Sequence, residues 1–233
     1  MQFIAHPEIF ARFPGLTLAA AVAHGIDNTR ETPAIAQGWR DAWQGAASAA
    51  VYGNAQSHPR VRPWRQSFQA QGISGKEFPS SAEALLRRAL KGGEPFQINP
   101  LVDFYNAVSL RHFVPAGAFD LAEIAGPLEL RLTRPGDHFL ALDAAAPIDL
   151  PPGEVCYADG STILTRHFVW RQSRVAAIGP NSRDVFLVSE VLGEVGRDVA
   201  EAVRADFEAG LREHFGVTSQ TWLVDAHHPA IDW

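Results

Sequence analysis

The chain holds one cysteine, Cys156, and one methionine among its 233 residues. A single thiol excludes an internal disulfide and a cysteine-based zinc cluster, and it is the usage expected of a reducing cytoplasm. Lysine is nearly missing. Lys76 and Lys91 are the only two, so almost all positive charge is arginine, whose planar fork suits bidentate phosphate recognition. Positive charge is itself in the minority, with a formal net charge of -6. That excludes the broad basic surface needed for indiscriminate nucleic-acid binding, so DNA is not an expected partner, while a short contact with an RNA end is compatible with it. No apolar run approaches the roughly 20 residues of a membrane span. The opening MQFIAHPEIFARFPG lacks a basic segment followed by an apolar one, so a signal peptide is not expected. Repeats and low-complexity tracts are missing, and Gly15 and Gly92-Gly93 match no nucleotide-binding fingerprint. These absences predict one compact unit over residues 1–233, with no membrane, metal or cofactor.

Hydrophobic residues make up 46% and charged residues 20%, enough to bury a sizeable core. Gln2 to Ile4 reads as a strand, and the turn at Phe13-Pro14-Gly15 leads into an apolar strand. Thr32 to Gly53 reads as one helix, with Pro33 in its first turn and Trp39 and Trp43 on its inner face. Pro59 to Ser67 starts irregular and becomes helical. Ser80 is a good N-cap, with Glu83 at the capping-box spacing, and Gly92-Gly93 ends that helix. Pro100 to Arg111 follows as an apolar helix.

After Asp120 the pattern turns to short strands: Leu128 to Leu132, His138 to Leu142, Val155 to Tyr157, Ile163 to Val169, Val175 to Ile178 and Val185 to Val188, with a hairpin turn at Asp159-Gly160. Val199 to His214 closes as an amphipathic helix. Helices first and strands later predict an α+β fold with a substantial β core.

Six segments in order carry a family resemblance: INPLVDFYNAVSL, VPAGAFD, LRL, PPGEVCYADG, RHFVWRQS and RDVFLVSE. Together they resemble the B3/B4 domain, the editing module of the phenylalanyl-tRNA synthetase β subunit, which also occurs as free-standing proteins. The resemblance covers residues 59–191 most clearly. It implies a β-sandwich-like mixed sheet core with flanking helices. It also implies a trans-acting deacylase that hydrolyses the ester of mischarged tRNA, with the aminoacylated 3′ end as partner. No aminoacylation domain is recognisable in these residues, so ligase activity is not implied.

Carried over by position, the resemblance puts Asn106 of VDFYN where the family has a pocket asparagine. Gly117 of PAGAFD stands where the synthetase has a histidine, and Gln172 of WRQS stands where it has a glutamate. Trp170, Arg171 and Ser173 complete the implied substrate pocket. Both ionisable pocket groups are thus replaced, so the identity of the amino acid does not carry over. An aminoacyl ester is already activated, and neutral donors such as Asn106 and Gln172 can position water and steady the developing oxyanion.

Each assignment has a rival. Asn106 could be a buried amide tying two backbone segments, and Gly117 a turn that needs positive φ. Gln172 and Ser173 could be a polar strand end, and Arg171 a structural ion pair. Arg87, Arg88 and Lys91 are either a tRNA contact or a solvated helix face. Arg60, Arg62 and Arg65 around Trp64 could hold a single-stranded end by stacking, or form a surface loop. The whole chain could also be a non-catalytic tRNA- or amino-acid-binding module. Asp225, His227 and His228 offer weak metal-ligand spacing. Cys156 reads as a core residue, and Ser109 near His112 lacks an acid partner.

Overall fold

A computed structural model describes residues 1–30 and 32–233. The chain runs through β1 (Gln2–Ala5), α1 (Pro7–Arg12), β2 (Thr17–Ala23), α2 (Pro33–Ala46), α3 (Arg62–Ala70), α4 (Ser81–Ala89) and α5 (Pro100–His112). There follow β3 (Ala116–Asp120), β4 (Leu128–Leu132), β5 (His138–Phe139), β6 (Ile148–Asp149), β7 (Val155–Asp159), β8 (Thr162–Ile163), β9 (Thr165–Arg166) and β10 (Arg171–Gln172). Last come β11 (Val185–Val191), α6 (Arg197–Phe215), β12 (Ser219–Val224) and β13 (Ala230–Asp232).

Two sheets face each other. The larger has the order β13-β1-β4-β7-β8-β5-β6, with β1/β4 and β5/β8 parallel and the other pairs antiparallel. The smaller is antiparallel, β12-β2-β11-β3. Phe3, Leu128, Leu130 and Tyr157 of the larger sheet meet Leu18, Val22, Phe186 and Val188 of the smaller in one core, and the rings of Phe3 and Phe186 lie 5.2 Å apart. This is an α+β fold with a β-sandwich-like core and flanking helices.

The other face of the smaller sheet is covered by α5 and α6, through Leu101, Val108, Val203, Phe207 and Leu211. That explains why β2 reads TLAAAVA. It is paired on both edges and buried on both faces, so polar alternation is lost and small side chains let α6 approach. Against α5, Trp39, Trp43, Leu86 and Leu110 form a smaller helical core with α2 and α4.

Several expectations need correction. The α-helix from Thr32 ends at Ala46 and continues to Tyr52 as 3-10 turns, stopped by Gly53 at φ 81°. Ser80 caps α4 by accepting from the N–H of Glu83. The reciprocal half of a capping box does not form, because the Glu83 carboxylate turns to Arg65 and Arg87. The strand expected over Ile163 to Val169 breaks into β8 and β9 and then turns. His167 and Phe168 both have positive φ, at 45° and 61°. Glu154 holds that turn by accepting from the His167 N–H and from Arg166. Val175 to Ile178 is not a strand, since Ala176 is left-handed (φ 56°) and donates its N–H to Glu123. His138 to Leu142 shortens to the two residues of β5.

Candidate functional site

A cavity of about 310 Å³ opens between α4, α5, the smaller sheet and the 165–172 segment. Its mouth carries Arg88, Phe96, Ile98, Trp170 and Arg171, and its inner wall is Phe119, Tyr157, Phe168, Val188 and Glu190. The left-handed turn at His167 and Phe168 aims Phe168 and Val169 into it, and the Val169 carbonyl accepts from the Ser81 N–H, locking this wall to the start of α4.

Of the six pocket residues implied by sequence, the structure brings five into these walls: Asn106, Gly117, Trp170, Arg171 and Gln172. Asn106 is 8% exposed, and among the described residues its carboxamide has no hydrogen-bond partner. The rival view of Asn106 as a backbone tie therefore has no bond to rest on. The amide atoms of Asn106 are not among the fully buried polar atoms left without a partner, so they open to the cavity that the residue lines and are free to donate and accept there. Gln172 donates from Nε2 to the Ala118 carbonyl at 2.8 Å, which fixes the amide beside β3.

Gly117 is not a turn glycine. It lies within β3 opposite Val188, its φ is not positive, and a Cβ added there would meet nothing within 4 Å. The space a larger residue would fill at this position is cavity. Ser173 departs from the sequence expectation. It is fully buried and its hydroxyl donates to the Leu140 carbonyl at 2.9 Å, because the backbone bridge between Ala141 and Ser173 turns it away from the cavity. Arg171 is ion-paired with the exposed Asp143 and lies over the Trp170 ring, 5.9 Å from its centroid.

The basic residues expected to contact tRNA separate into two groups. Arg88 lines the cavity mouth with its guanidinium 5.2 Å from the Phe96 centroid, and Arg62 and Lys91 are exposed. Arg65 and Arg87 instead share the carboxylate of Glu83, whose side chain is 1% exposed. The stacking platform around Trp64 does not exist. Trp64 is buried in the inter-sheet core against Phe13, Phe68 and Phe168, and Arg60 donates to the His112 carbonyl.

Other candidates are spoken for. Ser109 donates to the Val114 carbonyl, while His112 pairs with Asp206. Cys156 is buried on β7 and its thiol is pushed up to about 12 by burial, so it does not ionise near neutrality. Asp225, His227 and His228 form a tight turn, the Asp225 carboxylate accepting from both histidine N–H groups and from Arg197. Among the described residues no group of three His, Cys, Asp or Glu is placed to hold a metal ion.

The residue that sequence reasoning missed is Glu190. It is 4% exposed, lines the cavity, and accepts a hydrogen bond from Tyr157 Oη at 2.7 Å. Burial raises its carboxyl to about 7, and the Tyr157 bond opposes that shift. Burial and the nearby Glu190 push the Tyr157 phenol well above its ordinary range. The signal was a glutamate in step with Phe186 and Val188, the inward positions of β11.

One consequence is testable in stability. Between 4.5 and about 7 the folded protein keeps a proton on Glu190 that the unfolded chain releases. Stability therefore falls as pH rises through that window, by on the order of 3 kcal/mol. Glu190→Gln removes the effect. Its melting temperature should gain on the natural chain steadily from pH 4.5 towards 7, and a pH-independent difference would contradict the buried acid.

Residues 64–212 match the family described as the B3/4 domain. The chain is 30% identical over 136 residues to the phenylalanine–tRNA ligase beta subunit of Chromobacterium violaceum, covering 55% of this chain and 17% of that protein. It is 28% identical over 130 residues to the same subunit of Thermobifida fusca, covering 48% of this chain and 16% of that protein. The matched stretch is thus about a sixth of those relatives. Among solved structures, an N-terminal fragment of the phenylalanyl-tRNA synthetase beta-subunit from Pyrococcus horikoshii aligns over 96% of this chain and 53% of its own. That alignment has a TM-score of 0.44 and 9% identity. Among the described residues no helix is long and apolar enough to cross a membrane.

Proposed function

This chain belongs to the B3/4 domain family, and from that premise we propose that it is a trans-acting deacylase that hydrolyses the ester of mischarged tRNA. The observation that carries the reading is the unpartnered carboxamide of Asn106 facing a closed-ended cavity with arginines at its mouth. An aminoacyl group fits the cavity, while the terminal adenosine and its phosphate stay outside near Arg88 and Arg171. Lys91 and Arg62, both exposed, are further positive charges that the tRNA meets in this reading.

In this reading Asn106 and Gln172 orient a water against the ester carbonyl and steady the oxyanion that forms. The water oxygen bonds to the carbonyl carbon, the bond from that carbon to the ribose oxygen breaks, and the water's proton ends on the ribose oxygen. The neighbouring ribose hydroxyl relays that proton, so no nucleophile–base pair is needed from the protein. The reading treats residues 1–233 as one unit. In support, β12 and β13 from the end of the chain pair with β2 and β1 from its start.

The test is a panel of mischarged tRNAs incubated with purified protein. At least one should release its amino acid faster than the spontaneous rate, and no acceleration on any of them overturns the proposal. Among the described residues lining the cavity no histidine or cysteine is present to act as nucleophile or base, which favours a second reading, a non-catalytic module that grips tRNA or an amino-acid-like ligand. It predicts saturable binding without ester loss, with Asn106→Ala and Gln172→Ala changing affinity only.

A further inference from the structure

Among the described residues that line the cavity, Glu190 carries the only carboxyl group, and it sits at the inner end. Glu190 is 4% exposed and its neighbours Tyr157 and Val188 are 1% exposed, whereas Arg88 and Ile98 at the mouth are open to solvent. If the ester of an aminoacyl-tRNA enters, the nucleotide is held at the mouth, because about 310 Å³ leaves no room for it beside an amino acid. The α-ammonium lies two bonds from the ester carbonyl and stays near the mouth. The group that reaches Glu190 is therefore the far end of the amino-acid side chain.

We propose that Glu190, held in place by Tyr157, selects amino acids whose side chain ends in a cationic group. The inference rests on the deacylase reading and adds the substrate class. A carboxylate has acceptor sites for about four hydrogen bonds, and the Tyr157 side chain fills one. An apolar side chain pushed against it would strip its remaining solvation without replacing it, which is costly for a buried ionised group. A cation supplies both charge and donors, and such charge-assisted bonds are stronger than those from a neutral hydroxyl.

Among the described residues Glu190 has no ion-pair partner to compete with a ligand. Across β11 its partner on β2 is Leu18, and β3 places Ala116 and Gly117 beside this end of the strand. From the facing sheet β7 presents Tyr157. α6 covers the opposite face, where Val185 and Leu187 point. Among the described residues of the cavity wall the other titratable or charged groups are Tyr105 of α5, Arg88 of α4 and Arg171 of β10. Burial and Asp103 push the Tyr105 phenol up, and burial brings the Glu190 carboxyl to about 7, so that Glu190 changes charge near neutrality.

The experiment uses non-hydrolysable 3′-amide analogues of aminoacyl-adenosine carrying lysine, 6-hydroxynorleucine or norleucine, which share a four-carbon side-chain stem and differ in what ends it: an ammonium, a hydroxyl or nothing further. Binding to the full chain is measured by calorimetry. At about pH 8 the lysyl analogue should bind at least about tenfold tighter than norleucyl, equivalent to about 1.4 kcal/mol. That preference should shrink at about pH 5.5, where Glu190 is protonated. Glu190→Gln should remove both the preference and its pH dependence. Tyr157→Phe, which keeps the ring, should move the pH midpoint upward because a bond to the ionised form is lost. Norleucyl or 6-hydroxynorleucyl binding as tightly as lysyl at the higher pH overturns the inference and leaves the deacylase reading standing. Failure of all three analogues to bind also overturns the inference, and the deacylase reading is then decided by the panel of mischarged tRNAs.

Discussion

If the chain is a deacylase as proposed, Asn106→Ala should lower kcat/KM for deacylation by about a hundredfold, the loss seen when one oxyanion donor is removed, while the protein becomes no less stable. The two halves of this result belong together. Asn106 sits within α5 and its carboxamide makes no hydrogen bond among the described residues, so nothing structural is lost. Alanine is the better helix former, by up to about 0.7 kcal/mol. A structural asparagine would behave oppositely, since cutting a buried hydrogen bond costs about 1–3 kcal/mol. The measurement is single-turnover deacylation beside thermal melting. Activity and stability falling together would return Asn106 to the scaffold, and weakened binding with an unchanged rate would favour the binding module.

Asp137→Ala should destabilise the protein by about 3 kcal/mol, the low end for breaking a buried pair, because the Arg131 guanidinium keeps Glu129, 3.4 Å from its Nε, as remaining counter-charge. Arg131 lies on β4 with 1% exposure. Asp137 accepts from both of its terminal nitrogens, at 2.6 and 3.0 Å, and from the Arg134 N–H. The same guanidinium reaches the Leu132 and Gly160 carbonyls, joining the β4 edge, the turn before β5 and the β7–β8 hairpin. For a chain of this size the loss corresponds to a melting temperature lower by about 10 °C. Chemical denaturation of Asp137→Ala and of Arg131→Met with Asp137→Leu measures it. The double replacement, with no charge left to bury, should recover much of the loss, and equal losses in both would mean that packing rather than charge is at stake.

What could be read from sequence differs by the range of the force involved. The caps at Thr32, Ser80 and Asn99 hold their helices with side chains three residues away, and such signals lie within one turn. The β7–β8 hairpin at Gly160 is equally local. Where a distant side chain intervened, the local reading failed. Glu154 bends the chain at His167, Glu123 takes the N–H of Ala176, and Arg65 draws Glu83 away from its cap. The arginine cluster around Trp64 looked like a surface because its composition is polar, but α3 turns the indole into the inter-sheet core.

Composition by itself determined that this chain carries no disulfide, no broad basic surface and no long apolar span, and its ordered motifs determined where Asn106, Gly117 and Gln172 stand relative to one family. Those are properties of residue type and of spacing along the chain. Only the tertiary structure decided that Gly117 borders open space, that Ser173 turns away, and that Glu190 meets Tyr157 across two sheets. The last pair is separated by 33 positions. The charge of Glu190 is set by the solvent that packing excludes, a quantity that exists only once the sheets have closed over it.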